Sequence, residues 1–167
     1  MGGDDADTII GFDGDDQIFA DNGDDTVTGG NGNDVIYGGA GNDTIDSQAN
    51  NDAIYGDTGN DSITGNIGDD TLFGNDGDDS LLGGSGNDYN EGGKGNDYIS
   101  SYNENDTIVA GEGQDTITSG AGLDVIVFQA VIDSYDNGTT AILDRVTDFS
   151  DGSDKFDVSE LGYTGIQ

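Results

Sequence analysis

The chain contains no cysteine, proline, histidine or tryptophan, and only three cations, Lys94, Arg145 and Lys155, among 167 residues. Without cysteine there is no disulfide, no thiolate metal site and no record of redox compartment. Without histidine or cysteine the common nucleophile–base triads cannot be built. Three cations cannot form the basic surface that nucleic acids or anionic membranes require. No window of about 20 apolar residues is present, so no segment reads as a bilayer span. The opening MGGDDADTII lacks the basic end and apolar run of a secretory signal peptide.

What remains is acid and glycine. Thirty-six carboxylates give a formal charge of −33, the hydrophobic share is 31%, and glycine supplies 31 residues. Low hydrophobicity combined with such self-repulsion is the composition of a disordered chain. Folding therefore requires that something neutralise the carboxylates.

The carboxylates are not scattered. Cut in nines from Gly2, the sequence yields fourteen consecutive phrases ending at Val127, with no insertion. The sixth position is aspartate in all fourteen: Asp7, Asp16, Asp25, Asp34, Asp43, Asp52, Asp61, Asp70, Asp79, Asp88, Asp97, Asp106, Asp115 and Asp124. The fourth is glycine in eleven, the exceptions being Asp5, Asn50 and Glu104. The eighth is aliphatic in thirteen, from Ile9 to Ile126, and only Asn90 departs.

Each phrase joins a glycine-rich turn, whose backbone can take angles closed to other residues, to a short strand with one inward aliphatic. One phrase buries almost nothing, but stacked phrases form a continuous core, the logic of a solenoid. Two phrases close one coil, so residues eighteen apart lie above one another, about 4.8 Å away. Stacking then places aspartates in two columns, one along each edge. Like charges at that spacing call for a cation between successive turns. Carboxylate and carbonyl oxygens, with no imidazole or thiolate, suit a hard ion, and flexible oxygen cages favour Ca²⁺ over Mg²⁺.

The phrase matches G-G-x-G-x-D-x-U-x, and on this motif the chain resembles the RTX (repeats-in-toxin) family over residues 2–127. The resemblance implies an all-β fold, a right-handed parallel β-roll with Ca²⁺ held between successive coils. It also implies secretion by a type I system that needs no N-terminal signal peptide. Seven turns per edge leave six gaps, a ceiling of twelve ions. About 7–10 are expected, with vacancies beside two even-numbered turns that lack glycine, SQANND (Ser47–Asp52) and SYNEND (Ser101–Asp106).

Two outward columns stand out. Phe19, Tyr37, Tyr55 and Phe73 recur at eighteen-residue spacing. They read either as a self-packing ladder or as a face for a sugar or another domain. On the other sheet Thr8, Thr26, Thr44, Ser62, Ser80 and Thr116 form a row like those of ice-binding solenoids. Ile10, Asp46 and Leu82 interrupt its neighbourhood, which argues against ice.

Residues 128–167 abandon the beat and read as a capping segment, with short strands in Ala141–Phe149 and Lys155–Leu161. Asp148, Asp151, Asp154 and Asp157 are candidates for one further ion. The stretch DSYDNGTTAILDRVTDFSDGSDKFDVSELGYTG (Asp133–Gly165) resembles the end of an R-module of bacterial mannuronan C5-epimerases. That resemblance implies a non-catalytic calcium-binding companion of a catalytic module that acts on alginate. The periodic aspartates are committed to metal, and no carboxylate stands apart as a tuned acid, so no enzyme is expected here. The reading is a monomeric Ca²⁺-binding module of a secreted protein, cut from a larger parent. Its partners are Ca²⁺, parent catalytic or adhesin domains and a polysaccharide such as alginate. The alternative is a rigid segment of a large adhesin or structural exoprotein.

Overall fold

The computed structural model of the chain describes residues 2–127, 145–148 and 154–157. Twelve six-residue strands follow one another at nine-residue intervals, from β1 (Thr8–Asp13) to β12 (Thr107–Glu112). Four shorter ones complete the series: β13 (Thr116–Thr118), β14 (Val125–Val127), β15 (Arg145–Val146) and β16 (Lys155–Asp157). Odd-numbered strands make one eight-stranded parallel sheet and even-numbered strands another. Register is eighteen residues at every pairing of β1 to β14, as in Ile36↔Ile54 and Ile45↔Ile63. The chain is an all-β parallel solenoid in which two phrases close one coil.

The eighth positions build the core. Ile36, Ile45, Ile54, Ile63, Leu72, Leu81, Ile99, Ile108, Ile117 and Ile126 are all at most 1% exposed. Each such side chain contributes about 1.5–3 kcal/mol, and one per phrase suffices only because neighbours above and below complete its burial. Position 1 also faces inward, and there the interior admits only small residues: glycine, Ala20, Ala110, Ser47, Ser101 and Ser119.

The strands are longer than a triplet. Positions 7 to 9 run on through positions 1 to 3 of the next phrase, leaving only positions 4 to 6 as the turn. The glycine pair thus lies inside the strand, not in the turn as its composition implies. The backbone there bends through a left-handed residue at position 2, for example Gly30 (φ 125°) and Gly84 (φ 121°). A second left-handed residue stands at position 4, where the glycines from Gly14 to Gly113 have φ of 123–148° and Asn50 and Glu104 take 80° and 73°.

Beyond residue 127, β15 pairs with β13 and β16 with β14, so each sheet gains one more strand. Asp148 closes the odd sheet by accepting the amides of Ser119 (2.9 Å) and Gly120 (2.7 Å). Asp154, in the residue before β16, falls in step with Asp124, because Lys155 pairs with Val125. Asp151 and most of the epimerase-like stretch lie outside the described residues. No helix among the described residues is long and apolar enough to cross a membrane.

Candidate metal centre

The sixth-position aspartates do form two columns, and from the second coil to the last they are buried. Asp25, Asp34, Asp43, Asp52, Asp61, Asp70, Asp79, Asp88, Asp97, Asp106, Asp115 and Asp124 are all 0–3% exposed. Asp7 and Asp16, in the first coil, are half-buried. From Asp25 to Asp124 each carboxylate has a divided role. Its Oδ1 accepts the backbone amide of the aspartate one coil earlier, as in Asp61 N to Asp79 Oδ1 and Asp70 N to Asp88 Oδ1, at 2.8 and 2.9 Å. Its Oδ2 is buried, and in twelve of the aspartates (Asp16, Asp25, Asp34, Asp43, Asp52, Asp61, Asp70, Asp79, Asp88, Asp97, Asp106 and Asp124) it accepts no hydrogen bond.

A buried anionic oxygen without a donor costs more than a native fold tolerates once, let alone a dozen times. The surroundings say what should fill the need. At Gly56 the carbonyl oxygen of Gly74, one coil on, and the Asp61 Oδ2 both crowd the place where a Cβ would stand. The same convergence recurs at Gly38 with Gly56 O and Asp43, and at Gly65 with Gly83 O and Asp70. Glycine at position 1 thus lets a carboxylate and the next coil's carbonyl approach one another between turns. No group of three or more carboxylates converges on a single ion position among the described residues. Each gap offers two, from adjacent coils, and the remaining donors are backbone carbonyls. An all-oxygen donor set with two carboxylates fits Ca²⁺.

Burial, opposed by the amide bond and reinforced by like-charged neighbours, pushes these carboxyls up. Asp61, Asp70, Asp97 and Asp106 rise to about 7, and Asp52 and Asp88 to about 6. Asp34, Asp43, Asp79 and Asp124 shift in the same direction. A bound dication supplies the positive charge that lets such carboxylates ionise in place.

The two glycine-free turns differ where the ion would be held. Ser47 turns its hydroxyl inward and donates to the Gly65 carbonyl at 3.0 Å, one of the oxygens that regular turns leave open. Ser101 accepts from the Nδ2 of Asn90 at 2.9 Å, and the Asn90 Oδ1 is buried with no partner. Asn90, the lone polar residue in the aliphatic column, is thus matched to the serine of the next coil.

A second ladder escaped the sequence reading. Position 5 is Asp or Asn in eleven phrases. Its side-chain oxygen accepts the amide of the residue one coil later, as in Asn60 N to Asn42 Oδ1 (2.8 Å) and Asn87 N to Asp69 Oδ1 (2.7 Å). It runs opposite to the Oδ1 ladder of position 6, so successive turns are pinned in both directions. The sequence signal was the Asp/Asn bias at that position.

The aromatic column is a stack. Phe19, Tyr37, Tyr55 and Phe73 lie 4.9–5.0 Å apart, within 9° of parallel. Tyr89, at position 7, leans on Phe73 at 54° while its hydroxyl donates to Glu91 (2.7 Å), which occupies the next rung. The ring faces serve one another, which leaves only edges for a partner.

These features define a calcium-binding parallel β-solenoid. The RTX calcium-binding nonapeptide repeat (4 copies) matches residues 1–27, 19–54, 28–63, 55–89 and 91–126, and the chain belongs to that family. No curated protein matches the chain.

Proposed function

We propose that the chain is a non-catalytic module of a secreted protein, which stays extended in a cytosol poor in Ca²⁺ and folds on Ca²⁺ after type I export. The observation that carries this reading is the column of buried, unpartnered Oδ2 atoms, which no ion-free fold would keep ionised. Binding free energy then becomes folding free energy, and cooperativity follows because each ion needs two adjacent turns. The fourteen sixth-position aspartates are the ligands, with about 7–10 ions bound. Vacancies fall beside Ser47–Asp52 and Ser101–Asp106, where inward serines occupy the site. Asp154, in step with Asp124, extends the column by one rung.

Within that class, the resemblance of Asp133–Gly165 supports an R-module-like companion of a mannuronan C5-epimerase or a related polysaccharide-active enzyme. A rigid adhesin segment is the second reading, favoured by the axial stack of four rings and the paired turn ladders. Small-angle scattering tests the folding claim. An expanded chain of this length has a radius of gyration of about 43 Å, and a compact one falls below about 20 Å. The reading expects the first in chelator and the second in millimolar Ca²⁺. A compact particle in both would overturn it.

A further inference from the structure

A groove of about 620 Å³ crosses the outer face of the odd sheet, over β5 (Thr44–Ala49), β7 (Ser62–Ile67), β9 (Ser80–Ser85) and β11 (Tyr98–Asn103). Tyr102 stands at one end, 49% exposed, with Ile67, 65% exposed, and Leu82 on its walls. Gln48 and Asn66 line the rest. Only one carboxylate, Asp46, reaches it, and that group is taken up by the Asn66 Nδ2 at 2.7 Å. In a chain of charge −33 a groove with a single carboxylate is sparsely charged. The corresponding groove on the even sheet is lined by Asp4, Asp21 and Asp57.

Its polar residues are held in an unfavourable backbone state. Gln48, Asn66 and Tyr102 all occupy position 2 with φ of 78°, 74° and 73°. Glycine fills that slot without strain at Gly30, Gly84 and Gly120. A bulky residue there costs about 1–2 kcal/mol, so Tyr102 is kept at the expense of stability. Phe12, Asp21, Asp57 and Asn75 hold the same slot at φ of 72–79° outside this groove, so the strain belongs to the position and not to the groove alone.

We infer that this groove binds an uncharged glycan. One hexose presents an apolar C–H face to the Tyr102 ring and a neighbouring one to Ile67, and their hydroxyls both donate to and accept from the amides of Gln48 and Asn66. The groove crosses four strands set about 4.8 Å apart, so an extended sugar chain lying along the axis meets these different side chains in turn. A polyuronate would meet the field of the whole chain with no cation in the groove. The inference rests on the reading of the chain as a polysaccharide-associated module, and within it selects a neutral polymer over alginate.

The test is calorimetric titration of the Ca²⁺-loaded protein with cellohexaose, mannohexaose and laminarihexaose, against oligomannuronate of the same length. At least one neutral hexamer should bind, at least tenfold more tightly than the uronate. Tyr102→Gly should raise or preserve the melting temperature yet weaken that binding at least tenfold, while Tyr102→Phe keeps it. Far-UV spectra of the same samples separate the two failures. A chain unfolded in Ca²⁺ sinks the module reading, whereas a folded chain that binds none of the three up to 10 mM or so sinks the groove. Equal affinity for the uronate, or no effect of Tyr102→Gly, also overturns it.

Discussion

The turn ending at Asp79 and the turn ending at Asp106 follow the same path with different means. Gly77 holds φ at 147°, and a Cβ there would run into the carbonyl of Gly59. At the equivalent place Glu104 sits at 73°, inside the small left-handed basin that L-residues can enter. The inward slot at position 1 is empty of side chain in the first (Gly74) and filled by Ser101 in the second. The solenoid therefore tolerates loss of its glycines as a backbone, and we propose that its ion sites do not. Stacking and the two turn ladders hold the path, while glycine at position 1 leaves the space in which a carboxylate and the next coil's carbonyl approach one another.

The comparison can be pressed hardest through the ligands. Asp79→Asn keeps the Oδ1 acceptor for Asp61 N but weakens the gaps on both sides, so bound Ca²⁺ should fall by two and the folding midpoint should rise severalfold. Asp52→Asn, beside Ser47, should cost no ion. Equilibrium dialysis with metal analysis reads both counts, and equal losses would erase the distinction between the turns. Core truncation sets the scale for what stacking contributes. Ile63→Ala, fully buried in mid-solenoid, should cost about 2–5 kcal/mol of the Ca²⁺-loaded fold in a urea titration. Gly77→Ala should cost on the order of 2 kcal/mol, because the overlap with Gly59 O must be relieved by moving backbone. Glu104→Gly, at the same position, should instead stabilise by about 1 kcal/mol by removing the left-handed penalty. Opposite signs would show that the backbone of both turns prefers glycine at position 4, so that the turns differ at the ion site and not in their path, and like signs would refute it.

Acid offers a second route to neutralising the ladder. Asp61, Asp70, Asp97 and Asp106 have folded-state pKa values of about 7 against an ordinary 3.8. The folded state then binds more protons than the unfolded one between those limits. The ion-free fold is accordingly favoured at low pH and loses stability as pH rises through 7. In chelator the far-UV signal of β structure should be absent at pH 7.5 and return towards pH 5. A chain that stays unfolded at pH 5 would show that charge repulsion is not what keeps it open.

Much of this was legible in the sequence because the period is strict. The eighteen-residue register, the aliphatic column and the two aspartate edges follow from counting, and the aromatic spacing fixed which rings could meet. The bend at position 2 was hidden because Phe12, Gln48 and Tyr102 are residues no one would assign to left-handed backbone. The fate of Oδ1 was hidden as well. A sixth-position aspartate reads as a metal ligand alone, and its bond to the amide one coil earlier needs the stacked geometry to be visible. Asn90 departs from the aliphatic column in the sequence, yet its Nδ2 meets Ser101 in a place that only the closed coil brings together.

The most direct test is a Ca²⁺ titration followed by far-UV circular dichroism, with Mg²⁺ as control. The account predicts a cooperative coil-to-β transition at roughly 0.1–1 mM Ca²⁺ and none with Mg²⁺. A chain already folded in chelator at neutral pH would contradict it, since the buried Oδ2 column would then be stable without the ion.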